Sequence, residues 1–261
     1  MGIVNVTSDS FSDGGRWLDP DQAIAHGIDL MSEGADLIDI GAESTRPGAA
    51  RVPADEELAR LLPVVAGLSA AGVPVSVDTT RSTVAAAAIQ AGALIVNDVS
   101  GGLADPRMLA TVASSPAGYV VMHWREFMSD GAPRTSPYSA VVSEVITEVS
   151  RRAEAALRAG IEPERLILDP GIGFSKTTED NWALLRAADR FQRIGLPVLW
   201  GVSRKGFLAE AYPRATEPSD RDAATVAVTT LLAALGVWGV RTHEVASQRA
   251  AVVVAGRMRR P

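Results

Sequence analysis

Asp78, Asn97 and Asp169 each stand at the close of a short apolar run, and Lys205, Arg241 and His243 follow two further runs. Two carboxylates and an amide drawn to one place suit a flat heterocycle rich in N–H donors, because an ionised carboxylate accepts two hydrogen bonds side by side. Lys205, Arg241 and His243, with Arg46 as an outlier, add positive charge for an anion at the rim of such a pocket. No G-x-x-x-x-G-K-[ST] or G-x-G-x-x-G segment occurs, so nucleotide binding by those routes is not indicated. No histidine pair has zinc spacing. Asn5 with nearby carboxylates makes a poor metal cage but an adequate anchor for Mg²⁺, which keeps its waters and takes ligands from substrate phosphates.

These groups converge only if the elements bearing them do. The chain repeats a β-branched run, a loop and an alanine-rich amphipathic stretch. The runs are GIVNV (2–6), ADLIDI (35–40), VPVSV (73–77), ALIVN (93–97), GYVVM (118–122), RLILD (165–169), LPVLW (196–200) and WGVRT (238–242). Helical patterns such as DQAIAHGIDLMSEG, STVAAAAIQAG and DAATVAVTTLLAALG lie between them, several ending in glycine. Eight strand–helix units at roughly thirty-residue spacing predict a parallel α/β (β/α)8 barrel rather than an open sheet. With no linker or change of composition, residues 1–261 read as one domain.

In such a barrel the active site forms at the C-terminal strand ends. The set collected there is Asn5, Glu43 to Arg46, Asp78, Asn97 and Asp98, His123, Asp169, Ser203 to Lys205, Arg241 and His243. Taken singly, each has an ordinary structural role. Asp169-Pro170-Gly171 is a good turn, Asp78 could cap a helix starting near Ser82, and His123 reads as a hydrogen-bonded structural histidine. Asn97 and Asp98 must point to opposite sides of their strand, and Asn97 is taken as the inward one. None of Ser10, Ser44 or Ser203 has an obvious neighbouring base in sequence. Coincidence fails for the set together, since five or six strands would all have to end in a charged or amide group at one face.

The 261 residues are 47% hydrophobic and 21% charged, enough for a sizeable core, and the net charge of -6 gives no reason to expect nucleic acid. Cysteine is absent, so disulfides and thiolate metal sites are excluded. No export signal or long apolar run stands out, and a cytoplasmic enzyme without membrane attachment is the expectation. NVTSDSFSDGG (5–15) cannot bury enough apolar surface to order itself, so it reads as a mobile surface loop or, alternatively, as a loop that orders on a ligand.

NVTSDSFSDGG, GAESTRPGA, VSVDTTR, VNDVSGG, VMHWR, LDPGIGFSKT, GVSRKGF and RTHEV together resemble the dihydropteroate synthases, particularly the actinobacterial ones, over essentially the whole chain. The resemblance implies a (β/α)8 barrel, usually homodimeric, joining 6-hydroxymethyl-7,8-dihydropterin diphosphate to 4-aminobenzoate in folate synthesis with release of pyrophosphate. Sulfonamides compete for the aminobenzoate site of that family. It also implies that Asp78, Asn97, Asp169 and Lys205 hold the pterin, with Met122 packed near the ring. Asn5 would anchor Mg²⁺, and Asn5, Arg241 and His243 would hold the diphosphate. Asp13 and Arg46 would come down over the reacting centre, with Asp78 and Lys205 also in the catalytic set. Phe11, Thr45, Pro47, Lys205 and Gly206 would border the aminobenzoate.

Two departures stand out: Ser8 replaces a proline common in the first loop, and Gly206 stands where many relatives carry serine. The chain also opens almost directly on its first strand, where relatives carry a few more residues, so a truncated or alternative start is expected. Three other readings compete. A Schiff-base aldolase using Lys205 leaves the carboxylate set unexplained. A non-catalytic pterin-binding relative is opposed by the intact Asn5, Asp13, Arg46, Lys205, Arg241 and His243, and a corrinoid-dependent pterin methyltransferase gives less reason for the first loop.

Overall fold

The computed structural model describes residues 1–7, 19–43, 51–125 and 137–259. Six strands, β1 (Gly2–Asn5), β2 (Ile38–Gly41), β3 (Val75–Asp78), β4 (Ile95–Asp98), β5 (Gly118–Met122) and β6 (Leu166–Asp169), pair in parallel in chain order. Two short strands, β7 (Leu199–Trp200) and β8 (Gly239–Val240), pair with each other. Parallel bridges Leu168 to Val198 and Gly2 to Thr242 join the pair to both edges of the six, which closes the barrel. Each run becomes a strand of the expected order, ending at or close to its polar residue.

The helices follow their sequence signals: α1 (Pro20–Ser32), α2 (Ala54–Ala70), α3 (Ser82–Gln90), α4 (Met108–Ala113), α5 (Val141–Arg158), α6 (Thr178–Arg186), α7 (Ala188–Gln192), α8 (Leu208–Ala211), α9 (Asp222–Leu235) and α10 (Ala246–Arg259). Asp19 accepts from the Asp21 amide, with Pro20 as the first helical residue, so α1 starts where a side chain satisfies an otherwise orphaned N–H. At the other end of α9, Gly236 takes φ 81°, a left-handed cap that glycine reaches without a Cβ clash.

Strand alternation divides the side chains into two sets. Val4, Ile40, Val77, Val96, Val121 and Leu168 are buried in the large core shared with the helices, each contributing about 1.5–3 kcal/mol of transfer free energy. The opposite parity faces the barrel axis. Val120, Ile167 and Leu199 form its apolar floor, packed with Met1 and Ile95. Two residues further along the same strands stand Asn97, Met122, Asp169 and Gly201, so the alternation that fills the floor lifts polar groups into the mouth.

Candidate active site

The first cluster forms where β2, β3, β4 and β8 meet. Register places Asn5, Gly41, Asp78 and Asn97 in one row across four strands. Arg241 donates from Nε to Asp39 Oδ2 at 2.5 Å and from Nη2 to Asp78 Oδ2 at 3.1 Å. Asn97 Nδ2 donates to the same Asp39 oxygen at 3.0 Å. Asn97 is therefore the inward member of its pair. Asp98 points the other way, accepting from the Ser100 and Gly102 amides and from the Tyr119 hydroxyl. Asp78 does not cap α3; the Ser82 amide is taken instead by Asp105 Oδ2 at 2.9 Å.

Asp39 is fully buried, and it lacks the sequence signal of the other mouth residues because it lies inside its apolar run rather than at the end. Its Oδ1 has no hydrogen-bond partner among the described residues. Burial pushes Asp78 up to about 7; Arg241 opposes the rise, and Asp39, Glu57 and Asp98 add to it. Burial works against the charge of Arg241, but Asp39 and Asp78 outweigh it and the guanidinium stays cationic.

The second cluster sits on β6. Asp169 Oδ1 accepts from the Gly171 amide at 2.7 Å, so its turn-forming role is real, yet the carboxylate is also buried on the axis side of the barrel. Burial raises its pKa against the pull of Lys205, Arg241 and Lys176. Lys176 donates to the carbonyls of Gly171 and Phe174, each at 2.9 Å, and its Nζ lies 3.0 Å from His123 Nδ1. His123 Nε2 lies 3.0 Å from Glu148, which Arg125 also holds. Burial and then the Lys176 charge take His123 down to about 3, so it is a neutral structural histidine, as its sequence context suggested. The loop that Lys176 secures brings the Phe174 ring beneath Lys205, whose Nζ is 4.3 Å from the ring centroid. At Gly173, with φ 82°, a Cβ would lie 2.9 Å from the Lys205 Cδ, so the lysine stem runs against bare backbone.

The third group joins the ends of β7 and β8. Ser203 Oγ lies 2.9 Å from His243 Nδ1 and also accepts from the His243 amide at 3.2 Å. A serine with no base near it in sequence thus has an imidazole beside it in space. Met122 is buried on the axis side, and around Gly206 a Cβ would meet nothing within 4 Å.

Phe11, Asp13, Thr45, Arg46 and Pro47 lie outside the described residues. Glu43 and Arg51, which flank positions 44–50, are paired bidentately at 2.8 and 3.2 Å. Arg81 joins them at 2.7 Å and also holds the fully buried Glu57. Glu43 thus belongs to a structural ion network at the mouth. Among the described residues no three His, Asp or Glu side chains group as metal ligands.

The sequence matches the family described as pterin binding enzyme over residues 1–243. It is 48% identical to the dihydropteroate synthase of Mycobacterium leprae over 98% of this chain and 92% of that one. Its structure is similar to that of Xanthomonas albilineans dihydropteroate synthase with 4-aminobenzoic acid, with a TM-score of 0.91, 45% identity and coverage of 100% of this chain and 93% of that chain. The Xanthomonas albilineans enzyme in complex with 7,8-dihydropteroate matches with a TM-score of 0.85 and 39% identity over 100% of this chain and 92% of that chain.

Proposed function

The chain belongs to the pterin binding enzymes, and from that premise we infer that it is a dihydropteroate synthase, condensing 6-hydroxymethyl-7,8-dihydropterin diphosphate with 4-aminobenzoate to give 7,8-dihydropteroate and pyrophosphate. The observation that carries the reading is the axis-facing set of Asp78, Asn97 and Asp169 beside Lys205 and Arg241, acceptors for a donor-rich ring next to cations for its diphosphate.

Asp169 and Asp78 would accept from the aminopyrimidinone N–H groups, Asn97 would hydrogen-bond the ring edge, and Lys205, steadied on Phe174, would donate to the ring carbonyl. Met122 would pack against the ring. Arg241 has Nε and Nη2 committed to carboxylates, so its Nη1, with His243 and Asn5, would meet the diphosphate. Asn5 would hold Mg²⁺ through its amide oxygen, an ion that keeps its waters and takes its remaining ligands from substrate phosphates. Bound there, the ion would neutralise charge developing on the leaving group. The carboxylates of Asp78 and Asp169 would oppose the positive charge left on the pterinylmethyl carbon as the C–O bond breaks, and the aniline nitrogen of 4-aminobenzoate would then form the C–N bond and lose a proton. No enzyme nucleophile is required. Asp13 and Arg46 would act over the reacting centre, and Phe11, Thr45, Pro47, Lys205 and Gly206 would border the aminobenzoate.

Leu231 (69% exposed), Trp238 (49%), Val254 (54%) and Met258 (80%) lie on or beside α9 and α10, an apolar surface that supports a homodimer as the working form. Among the described residues no helix is long and apolar enough to cross a membrane. Both substrates are charged and water-soluble, which suits a cytoplasmic single-domain enzyme. The direct test is pyrophosphate release on mixing the protein with the pterin diphosphate, Mg²⁺ and 4-aminobenzoate. Release only when all three are present is expected, and pterin binding without turnover would identify a non-catalytic relative instead.

A further inference from the structure

Ser203 is 5% exposed, carries no charge and has no part in the chemistry described above, yet it makes three hydrogen-bond contacts at the junction of β7 and β8. Its Oγ lies 2.9 Å from His243 Nδ1, 3.2 Å from the His243 amide and 3.3 Å from Thr242 Oγ1. Thr242 has a better acceptor for its own proton in the Glu244 carbonyl at 3.0 Å. The amide can only donate, so it occupies one lone pair of the serine. The serine proton then has the imidazole nitrogen as its shortest acceptor.

We propose that Ser203 is a positioning residue for His243, donating to Nδ1 so that the ring carries its N–H on Nε2, at the opposite edge of the ring. The clasp has two points, because one oxygen is tied to the main chain and to the side chain of the same histidine. Turning the ring over would put a carbon against the serine oxygen and give up the 2.9 Å contact, so ring plane and tautomer are fixed together. An acceptor-only ligand such as a diphosphate oxygen needs a donor, and Nε2–H is one; the other tautomer would present a lone pair to the anion. This rests on the reading that His243 meets the diphosphate. The serine acts through the histidine and touches no substrate.

The test compares the full-length parent with Ser203→Ala, Ser203→Thr, His243→Ala and the Ser203→Ala/His243→Ala double variant. Only three histidines occur, so His243 is assigned by its loss from long-range ¹H–¹⁵N spectra of the imidazoles. The expected signature is a single Nε2–H tautomer in the parent and in Ser203→Thr, and a tautomer mixture in Ser203→Ala. Calorimetry with Mg²⁺-pyrophosphate should show affinity falling about 5- to 20-fold in Ser203→Ala, the worth of one oriented hydrogen bond to a charged group, with the threonine variant within about 3-fold of the parent. In the His243→Ala background the serine change should cost nothing further. An Nδ1–H tautomer in the parent overturns the clasp. Unchanged pyrophosphate affinity in Ser203→Ala, with affinity lost in His243→Ala, overturns its role in binding. Parent-like pyrophosphate affinity in His243→Ala, with an intact Nε2–H signature in the parent, overturns the reading that His243 meets the diphosphate and with it the binding role of the clasp. That outcome is distinct from failure of the proposed function, which pyrophosphate release on mixing the protein with the pterin diphosphate, Mg²⁺ and 4-aminobenzoate tests.

Discussion

Arg241 and Asp39 form an ion pair across the mouth of the barrel, Nε to Oδ2 at 2.5 Å, joining residues 202 positions apart. The guanidinium is 22% exposed and the carboxylate not at all, so the two halves of the pair are not equivalent. Arg241→Ala strands a buried anion and should lower stability toward the lower end of the about 3–5 kcal/mol seen when one partner of a buried pair is removed. Asp39→Asn in that background should recover part of the loss, because an amide is cheaper to bury than an uncompensated carboxylate. Urea denaturation of the four members of the cycle measures this; additive effects would show that the pair is not coupled.

The same guanidinium holds Asp78, whose pKa of about 7 makes pterin binding pH-dependent. Charged groups around it are Arg241, Asp39, Glu57 and Asp98. Ring N–H donors require the ionised carboxylate, so binding at pH 6 should release a proton and affinity should fall as pH drops below about 7, at most tenfold per unit. Calorimetry of a pterin in buffers of different ionisation enthalpy detects the proton. Asp78→Asn should bind weakly and without this slope. For the unligated fold the sign is opposite: the native state holds a proton that the unfolded chain has lost, so this group's contribution to stability declines as pH rises from about 4 to about 7.

Asp169 combines a turn role with a ligand role, and one substitution separates them. In Asp169→Asn the amide oxygen can still accept from Gly171, so the fold should keep its melting temperature to within a few degrees. Replacing an acceptor by a donor on the other side of the group should weaken pterin binding by about 1.5–3 kcal/mol, the value of a hydrogen bond to a charged group. Parent-like affinity on titrating Asp169→Asn with a pterin would return this residue to turn formation alone.

The barrel and the convergence of polar residues at its mouth are legible in the sequence because both obey local rules. β-branched runs mark the strands, and a polar residue ending a run marks the mouth. Asp39 carries no run-end signal because it lies inside its apolar run, but alternation counted back from Gly41 along I-D-I-G places it on the axis. Ser203 and His243 both end strand runs, but their pairing is not legible for another reason. They stand 40 residues apart, and only the adjacency of β7 and β8 in a closed barrel makes them neighbours. Lys176 lay within LDPGIGFSKT, but no local pattern distinguishes a lysine whose ammonium is wrapped by two carbonyls from one in solvent.

Lys205 is boxed by its surroundings, which decides how it tolerates change. Its stem passes Gly173 so closely that even a methyl group there would stand 2.9 Å from Cδ, and its ammonium rests over Phe174 at 4.3 Å. A planar guanidinium is wider than an ammonium and needs its donors in one plane, so Lys205→Arg should lose nearly as much kcat/KM as Lys205→Ala. Gly173→Ala should reproduce part of that loss with Lys205 intact, since it both strains a backbone at φ 82° and pushes the lysine stem aside. Steady-state kinetics on the three variants, with near-ultraviolet circular dichroism to confirm the fold, make the comparison. Full activity in Lys205→Arg would mean that only the charge matters, and would move Lys205 from the pterin to the diphosphate.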